Sequence, residues 1–315
     1  MHLRGTIVSM ASLLLYLLNG FADAMDFRPG DYYGSGGYYS GRLITHYRPD
    51  GSIAESMRLP ASLGDNLRGL AFGPDGLLYV ALQDSFYGGN LVVHAIDGSG
   101  TPQATYSMNV NIGSNTDLGK IAFDNNGHFY VGAVSLVRFT IDQPSSGTLV
   151  YQPWSSYAFD VEPLPNGNLL VASSYRIEEI TPDGTSVRSL DRNRFADIHS
   201  IEYDSASNSV FMFHLGYTGH YNELNKLDGS TGDILATTDA HGGDLLLTTD
   251  QRLVDGVRFY DLAFNPLYDF AGTGNAFVTQ LVPEPAALSV VAAAGLLAQR
   301  RGRRTRRACG TPPMR

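Results

Sequence analysis

Apolar and polar positions along this chain repeat in blocks. Between residues 41 and 281 an imperfect period of about 40 to 50 residues recurs, the range that marks propellers and solenoids. One repeating piece is an apolar run, a tight turn and a second apolar run. It reads LAFGPDGLLYVA from Leu70, IAFDNNGHFYVG from Ile121, VEPLPNGNLLVA from Val161 and IEYDSASNSVFMF from Ile201, with a worn copy, LLLTTDQRLV, from Leu245. Runs this continuous predict strands buried on both faces. Pro74-Asp75-Gly76, Asn125-Asn126-Gly127 and Pro165-Asn166-Gly167 predict hairpin turns, with glycine supplying the positive φ that a side chain resists.

A second hairpin follows each first one: from Leu43, Leu91, Leu136, Ile177, Leu224 and Val257. Here apolar and polar residues alternate more, as in outer strands. Two hairpins per repeat make a four-stranded blade. Six second hairpins stand against five clear first ones, and the series opens on an orphan second hairpin. The missing inner strands can come from the other end, where AGTGNAFVTQL over 271–281 resembles a worn GPDGLLYVAL. The predicted fold is all-β: a six-bladed β-propeller of four-stranded blades over 41–281. N- and C-terminal strands share one blade, so that no sheet edge stays open. LAFNP from Leu262 also resembles LAFGP from Leu70, and read as a blade start it changes the count to five or seven. The Gly/Tyr-rich stretch within 25–40 reads as a flexible lead-in.

The repeats resemble NHL-type and gluconolactonase-like propellers, in which a PDG-type turn precedes a LYVA-type strand. The gluconolactonase-like resemblance implies one divalent metal held by a Glu, Asn residues and an Asp, with one Asn in a P-N-G-L segment that opens a blade. The matching segment here is Leu67-Arg68-Gly69-Leu70. Arg68 replaces that Asn, and a guanidinium has no lone pair to give a cation.

The two ends read as addresses. Arg4, the apolar stretch IVSMASLLLYLL over 7–18 and the small-x-small triplet Ala22-Asp23-Ala24 form a secretory signal over 1–24, cut by signal peptidase so that the mature chain starts near Met25. At the other end, Val282-Pro283-Glu284-Pro285 leads into AALSVVAAAGLLAQ over 286–299, then Arg300, Arg301, Arg303 and Arg304. A rigid extended element, an apolar segment and a cationic stop, in that order, resemble the PEP-CTERM sorting signal of exported proteins in bacteria with an outer membrane. The resemblance covers 282–307 and implies recognition of Pro283, Glu284 and Pro285 by an exosortase-type membrane protease. Transfer to the cell surface or extracellular matrix follows, with membrane contact only transient. Two features depart from the pattern: the apolar segment has 14 residues, and a tail, 308–315, runs on past the arginines. Cys309, the single cysteine, lies in that tail, which excludes a disulfide framework and a cysteine-built zinc site.

Charge sharpens the picture. The whole chain carries −9, but 25–285 holds 14 basic against 30 acidic residues, a net of −16. A surface this acidic disfavours nucleic acid. Candidate chemistry centres on acids just ahead of the inner strands: Asp65, Asp117, Asp160, Asp197 and Asp244. Carboxylates converging on an axis repel one another unless a hard cation such as Ca²⁺ sits among them, although Asp is also ordinary loop chemistry. Their offsets from the strands differ. His199 beside Asp197, and His241 near Asp244, have the types for acid/base work, but no nucleophile elbow or phosphate loop accompanies them. His214 and His220 lack a third ligand at a characteristic spacing, and Tyr151, Trp154 and Tyr157 suit an aromatic platform or an inter-blade cluster. No residue is assigned a catalytic role. The sequence therefore predicts an exported, surface-sorted propeller that binds or scaffolds, with an extracellular glycan or protein as partner. The alternative is a divalent-metal-dependent lactonase, or another sugar-directed hydrolase, on the same fold.

Overall fold

A computed structural model describes residues 24–35, 41–64, 66–83, 90–108, 120–153, 158–190, 198–214, 222–242, 244–271 and 277–282. The chain divides into two compact units, Met1–Leu281 and Val282–Arg315, and every described strand belongs to the first. Among the described residues no helix is long and apolar enough to cross a membrane. The sorting residues Pro283, Glu284, Pro285, Arg300, Arg301, Arg303 and Arg304 lie outside the described residues.

The first unit is a propeller of six four-stranded blades. Blade 1 sets β24 (Phe277–Gln280) beside β1 (Tyr32–Ser35), β2 (Leu43–Tyr47) and β3 (Ile53–Arg58). Blade 2 is β4 (Asn66–Phe72), β5 (Leu78–Gln83), β6 (Leu91–Ile96) and β7 (Pro102–Met108). Blade 3 is β8 (Ile121–Phe123), β9 (His128–Val131), β10 (Leu136–Thr140) and β11 (Gln143–Tyr151). Blade 4 follows with β12 (Ala158–Pro163), β13 (Leu169–Ser173), β14 (Arg176–Ile180) and β15 (Ser186–Ser189). Blade 5 is β16 (Ile198–Asp204), β17 (Ser209–His214), β18 (Glu223–Asp228) and β19 (Ile234–Asp239). Blade 6 is β20 (Leu246–Leu247), β21 (Leu253–Val254), β22 (Arg258–Tyr260) and β23 (Pro266–Asp269).

The closing strands are as predicted, in part. β24 takes the innermost place and pairs antiparallel with β1, Tyr32 opposite Gln280 and Ser35 opposite Phe277. The lead-in, however, is not a flexible spacer throughout: Tyr32–Ser35 is a fully buried strand, so the propeller begins upstream of residue 41. Tyr32 packs toward blade 6 against Phe259 and Phe270, while Tyr33 packs toward blade 2 among Leu70, Leu78 and Val80. Side chains of successive strand residues point to opposite faces, and here both faces are interior, so two adjacent tyrosines are both core. LAFNP from Leu262 starts no blade. Asp261 to Asn265 is the turn between β22 and β23, closed by Phe264 N donating to Asp261 O at 3.0 Å, and the count stays six.

The same two-sidedness governs the core. Among the described residues the buried apolar side chains form six clusters, one at each junction between neighbouring blades. Phe211 of β17 serves the junction with blade 6 and its neighbour Met212 the junction with blade 4.

Each blade's strands run from one face of the disc to the other and back. Both hairpin turns of a blade lie on one face; the β-connections between second and third strands, and the crossings to the next blade, lie on the other. The turn face is built by repeated local chemistry. Asp124 Oδ1 accepts from Asn126 N at 2.8 Å and His128 N at 2.9 Å, and Asn166 Oδ1 accepts from Asn168 N at 3.0 Å. Gly76, Gly127 and Gly167 have φ of 75°, 80° and 86° with open space where a Cβ would stand, so backbone sign alone calls for glycine.

Candidate functional site at the propeller axis

Inner strands enter the disc at the loop face. In three of them a bulge inserts one residue near that entry: Arg68 in β4, Phe159 in β12 and His199 in β16. Bulges of this kind re-aim side chains and favour functional positions. Phe159 and His199 stack, ring centroids 4.9 Å apart and planes 10° from parallel.

Directly below, Asp160, Ser200 and Asp244, each next to a repeated apolar run of the sequence, tie one blade to the next. Asp160 Oδ2 of blade 4 accepts from Ile201 N of blade 5 at 2.8 Å and from Ser200 Oγ at 2.7 Å. Ser200 Oγ in turn accepts from Leu245 N of blade 6 at 3.0 Å. Asp244 Oδ2 accepts from Val278 N of blade 1 at 2.8 Å. Backbone N–H groups at the strand entries are thereby satisfied by side chains of the preceding blade.

Lys120 holds the corresponding position in blade 3. Its ammonium reaches across the axis, pairing with Glu202 of blade 5, standing 3.8 Å from Glu162 of blade 4 and donating to Leu245 O at 3.3 Å. Contact with three other blades is geometrically open only to a side chain near the axis.

Four carboxyl groups, Asp160, Glu162, Glu202 and Asp244, thus share one ammonium. Burial works against the Lys120 cation, but the attraction of Glu202 and then Glu162 outweighs it and holds its pKa well above the usual lysine value. Burial pushes all four acids the other way, toward the protonated form. Glu162 is raised well above its ordinary value by burial and by repulsion from Glu202. Burial also raises Glu202 and Asp160 despite Lys120. Asp244 is pushed up to about 7, chiefly by burial. Ser200 Oγ has one proton and two carboxyl acceptors in reach, Asp160 Oδ2 at 2.7 Å and Asp244 Oδ1 at 3.2 Å.

Of the acids expected at the axis, Asp160 and Asp244 come together there, bridged by Ser200. Asp65, Asp117 and Asp197 lie outside the described residues, as do His220, Trp154 and Tyr157. His241 does not serve Asp244: its N–H donates to Asp255 Oδ2 at 2.8 Å, and its ring nitrogens lie 3.2 Å from the Tyr260 hydroxyl and 3.3 Å from Arg258. His214 pairs with Glu223 at 3.2 Å, and Tyr151 donates to Glu178. Sequence reasoning missed Lys120, Ser200, Glu162 and Glu202. A positional signal was available: Lys120, Asp160, Ser200 and Asp244 each stand immediately before a repeated apolar run of the sequence, at Ile121, Val161, Ile201 and Leu245.

The donor set does not suit a divalent cation. An ammonium already occupies the space between the glutamates, Arg68 is buried in β4, and among the described residues no three His, Cys, Asp or Glu side chains are disposed to hold a metal ion. What the arrangement does chemically is lock blades 3 to 6 and blade 1 around one buried polar clasp.

No family model matches the chain, and no curated protein matches it in sequence. Solved structures do match in shape. A protein of unknown function from Bacteroides caccae superposes with a TM-score of 0.57 at 11% identity, over 80% of this chain and 98% of that one. A chain of a nidogen/laminin complex gives 0.57 at 14%, over 79% and 97%. The WD40 β-propeller domain of Doa1 gives 0.51 at 14%, over 77% and 86%. At such identities the likeness carries the fold alone: this chain is an all-β, six-bladed propeller.

Proposed function

We propose that the chain is an exported β-propeller, sorted to the cell surface or extracellular matrix, that works as a binding or scaffolding module. The observation that carries this reading is the axial clasp. The centre of the disc, where a propeller hydrolase of the gluconolactonase-like kind needs an open metal position, is taken by the Lys120 ammonium and its carboxyl partners. Recognition then falls to the loop face, where every crossing between blades lies, and the partner is an extracellular glycan or protein. The rest is a rigid disc with short, self-satisfied turns.

Export rests on the leader over 1–24 and sorting on the segment 282–307, with signal peptidase and an exosortase-type protease as processing partners. Native mass spectrometry with metal analysis on protein purified without chelator tests the reading. A metal-free chain is expected. One tightly held divalent ion per chain would overturn it in favour of the lactonase alternative. Replacing Pro283, Glu284 and Pro285 with alanine should leave the protein unprocessed in the membrane; unchanged release to the surface would remove the sorting step.

A further inference from the structure

The described residues begin at Ala24, the last of the triplet Ala22-Asp23-Ala24. Met25 is 3% exposed, packed with Met57, Leu59, Leu70 and Ile96, and its N–H donates to Gly98 O at 2.5 Å. Gly98 makes that berth: a Cβ there would come within 2.2 Å of Met25 O. Phe27 stands edge-on to Tyr33 and Phe72, at 5.5 and 5.1 Å between ring centroids. Asp26 N donates to Glu55 Oε1 at 3.1 Å, Arg28 N donates to the Tyr33 hydroxyl at 2.7 Å, and that hydroxyl donates to Asp26 O at 3.1 Å. His46 braces the same corner. Its ring stacks on Tyr33 at 4.7 Å, with Nδ1 3.0 Å from Glu55 Oε1 and Nε2 2.6 Å from Asp31 Oδ2. The stretch 25–31 is a strap that joins blades 1 and 2.

We propose that the Ala24–Met25 bond is a processing site accessible only before this strap docks, so that leader removal and folding compete for the same few residues. The proposal rests on the export reading above. Hydrolysis adds one water across the amide, leaving a carboxylate on Ala24 and an amino group on Met25, the same nitrogen that is bonded to Gly98 O. A peptidase must hold residues on both sides of the bond in extended form, away from the fold. In the folded chain Met25 is enclosed, and cleavage follows the small population in which the strap has opened. A chain that folds first therefore keeps its leader.

The test uses the full chain, unfolded in urea, with detergent-solubilised bacterial signal peptidase and N-terminal sequencing. Peptidase present during dilution from urea should yield a chain beginning at Met25. Peptidase added after folding is complete should cut slower by about a hundredfold or more, the factor set by the opening equilibrium. In the folded state Gly98→Ala, which displaces the strap, should restore fast cleavage, and Phe27→Ala, which loosens it without touching the cleavage triplet, should restore part of it. Equal rates before and after folding, cleavage at another bond, or folded variants as resistant as the parent would each overturn the proposal while leaving export intact. No cleavage under either regime would instead bring down the export reading and the proposal with it.

Discussion

Between blades 2 and 3, Tyr79, Tyr106, Phe129 and Phe139 interlock, with Phe129 4.9 to 5.1 Å from Tyr106, Phe139 and Tyr79. The outer strands of the same blades touch as well, β7 meeting β11 in parallel at Ser107 and Ser146. Along the axis of blades 3 to 6 the contacts are carboxyls, a serine and an ammonium. The first junction is held chiefly by packed aromatic faces and edges. The axis is the reverse. Each strand-entry N–H of Ile201, Leu245 and Val278 there meets an acceptor of the preceding blade at one height, so a blade shifted by a residue leaves a buried N–H or a charge unpaired. Apolar packing supplies the bulk of the attraction, and the polar ring specifies which blades adjoin.

Four variants separate these contributions. Phe129→Ala should cost about 3–5 kcal/mol, read as a lowered denaturant midpoint, with no dependence on pH. Lys120→Met should cost a similar ~3–5 kcal/mol at neutral pH, because it strands buried acids, and clearly less near pH 4, where those acids hold their protons. If its loss is the same at both pH values, the axis is packing and not electrostatics. Ser200→Ala removes the acceptor for Leu245 N and should cost about 1–3 kcal/mol. Tyr106→Phe, losing only a hydroxyl that donates to Ile141 O at 2.6 Å, should cost about 0.5–1.5 kcal/mol.

Asp244 sharpens the comparison through pH. Its carboxyl is raised to about 7 in the folded chain from an ordinary 3.8. Between those values the folded state keeps a proton the unfolded chain has released. Its contribution is therefore complete below the ordinary value, falls as pH rises through the window, and is flat above about 7. Asp244→Asn should fold and lose that part of the decline in unfolding measurements across the window; an unchanged slope would remove Asp244 from the titrating set.

Much of this was legible in the sequence where structure is local. The PDG and NNG turns and the six outer hairpins depend on residues a few positions apart and stand where the pattern put them, while the segment 271–281 supplies one inner strand, β24, of the pair expected from it. β1 escaped because Tyr32-Tyr33-Gly34-Ser35 shows no alternation, and a strand with two interior faces has none to show. The clasp escaped for another reason. Lys120 meets Glu202 from 82 residues away, and nothing near either residue marks the other. Asp160 and Asp244 were found, but among acids chosen by type; in the sequence each directly precedes an apolar run, at Val161 and Leu245, whereas Asp65, Asp117 and Asp197 stand four or five residues ahead of theirs, at Leu70, Ile121 and Ile201.

Blade 1 also differs from the rest in how its inner pair is connected. Elsewhere a short turn joins the first two strands. In blade 1 that turn is missing, and Gly30 N to Leu281 O at 2.9 Å stands in for it. Bringing β24 to β1 closes a loop of roughly 240 residues, which at about 0.6 kcal/mol per doubling of length costs about 3–4 kcal/mol more chain entropy than a hairpin turn. Such a contact forms late, after the intervening blades have shortened the effective loop. Ring closure thus acts as a timer: as the chain emerges from its N-terminal end the strap can reach blade 2 early, but the disc stays open until residue 280 has arrived.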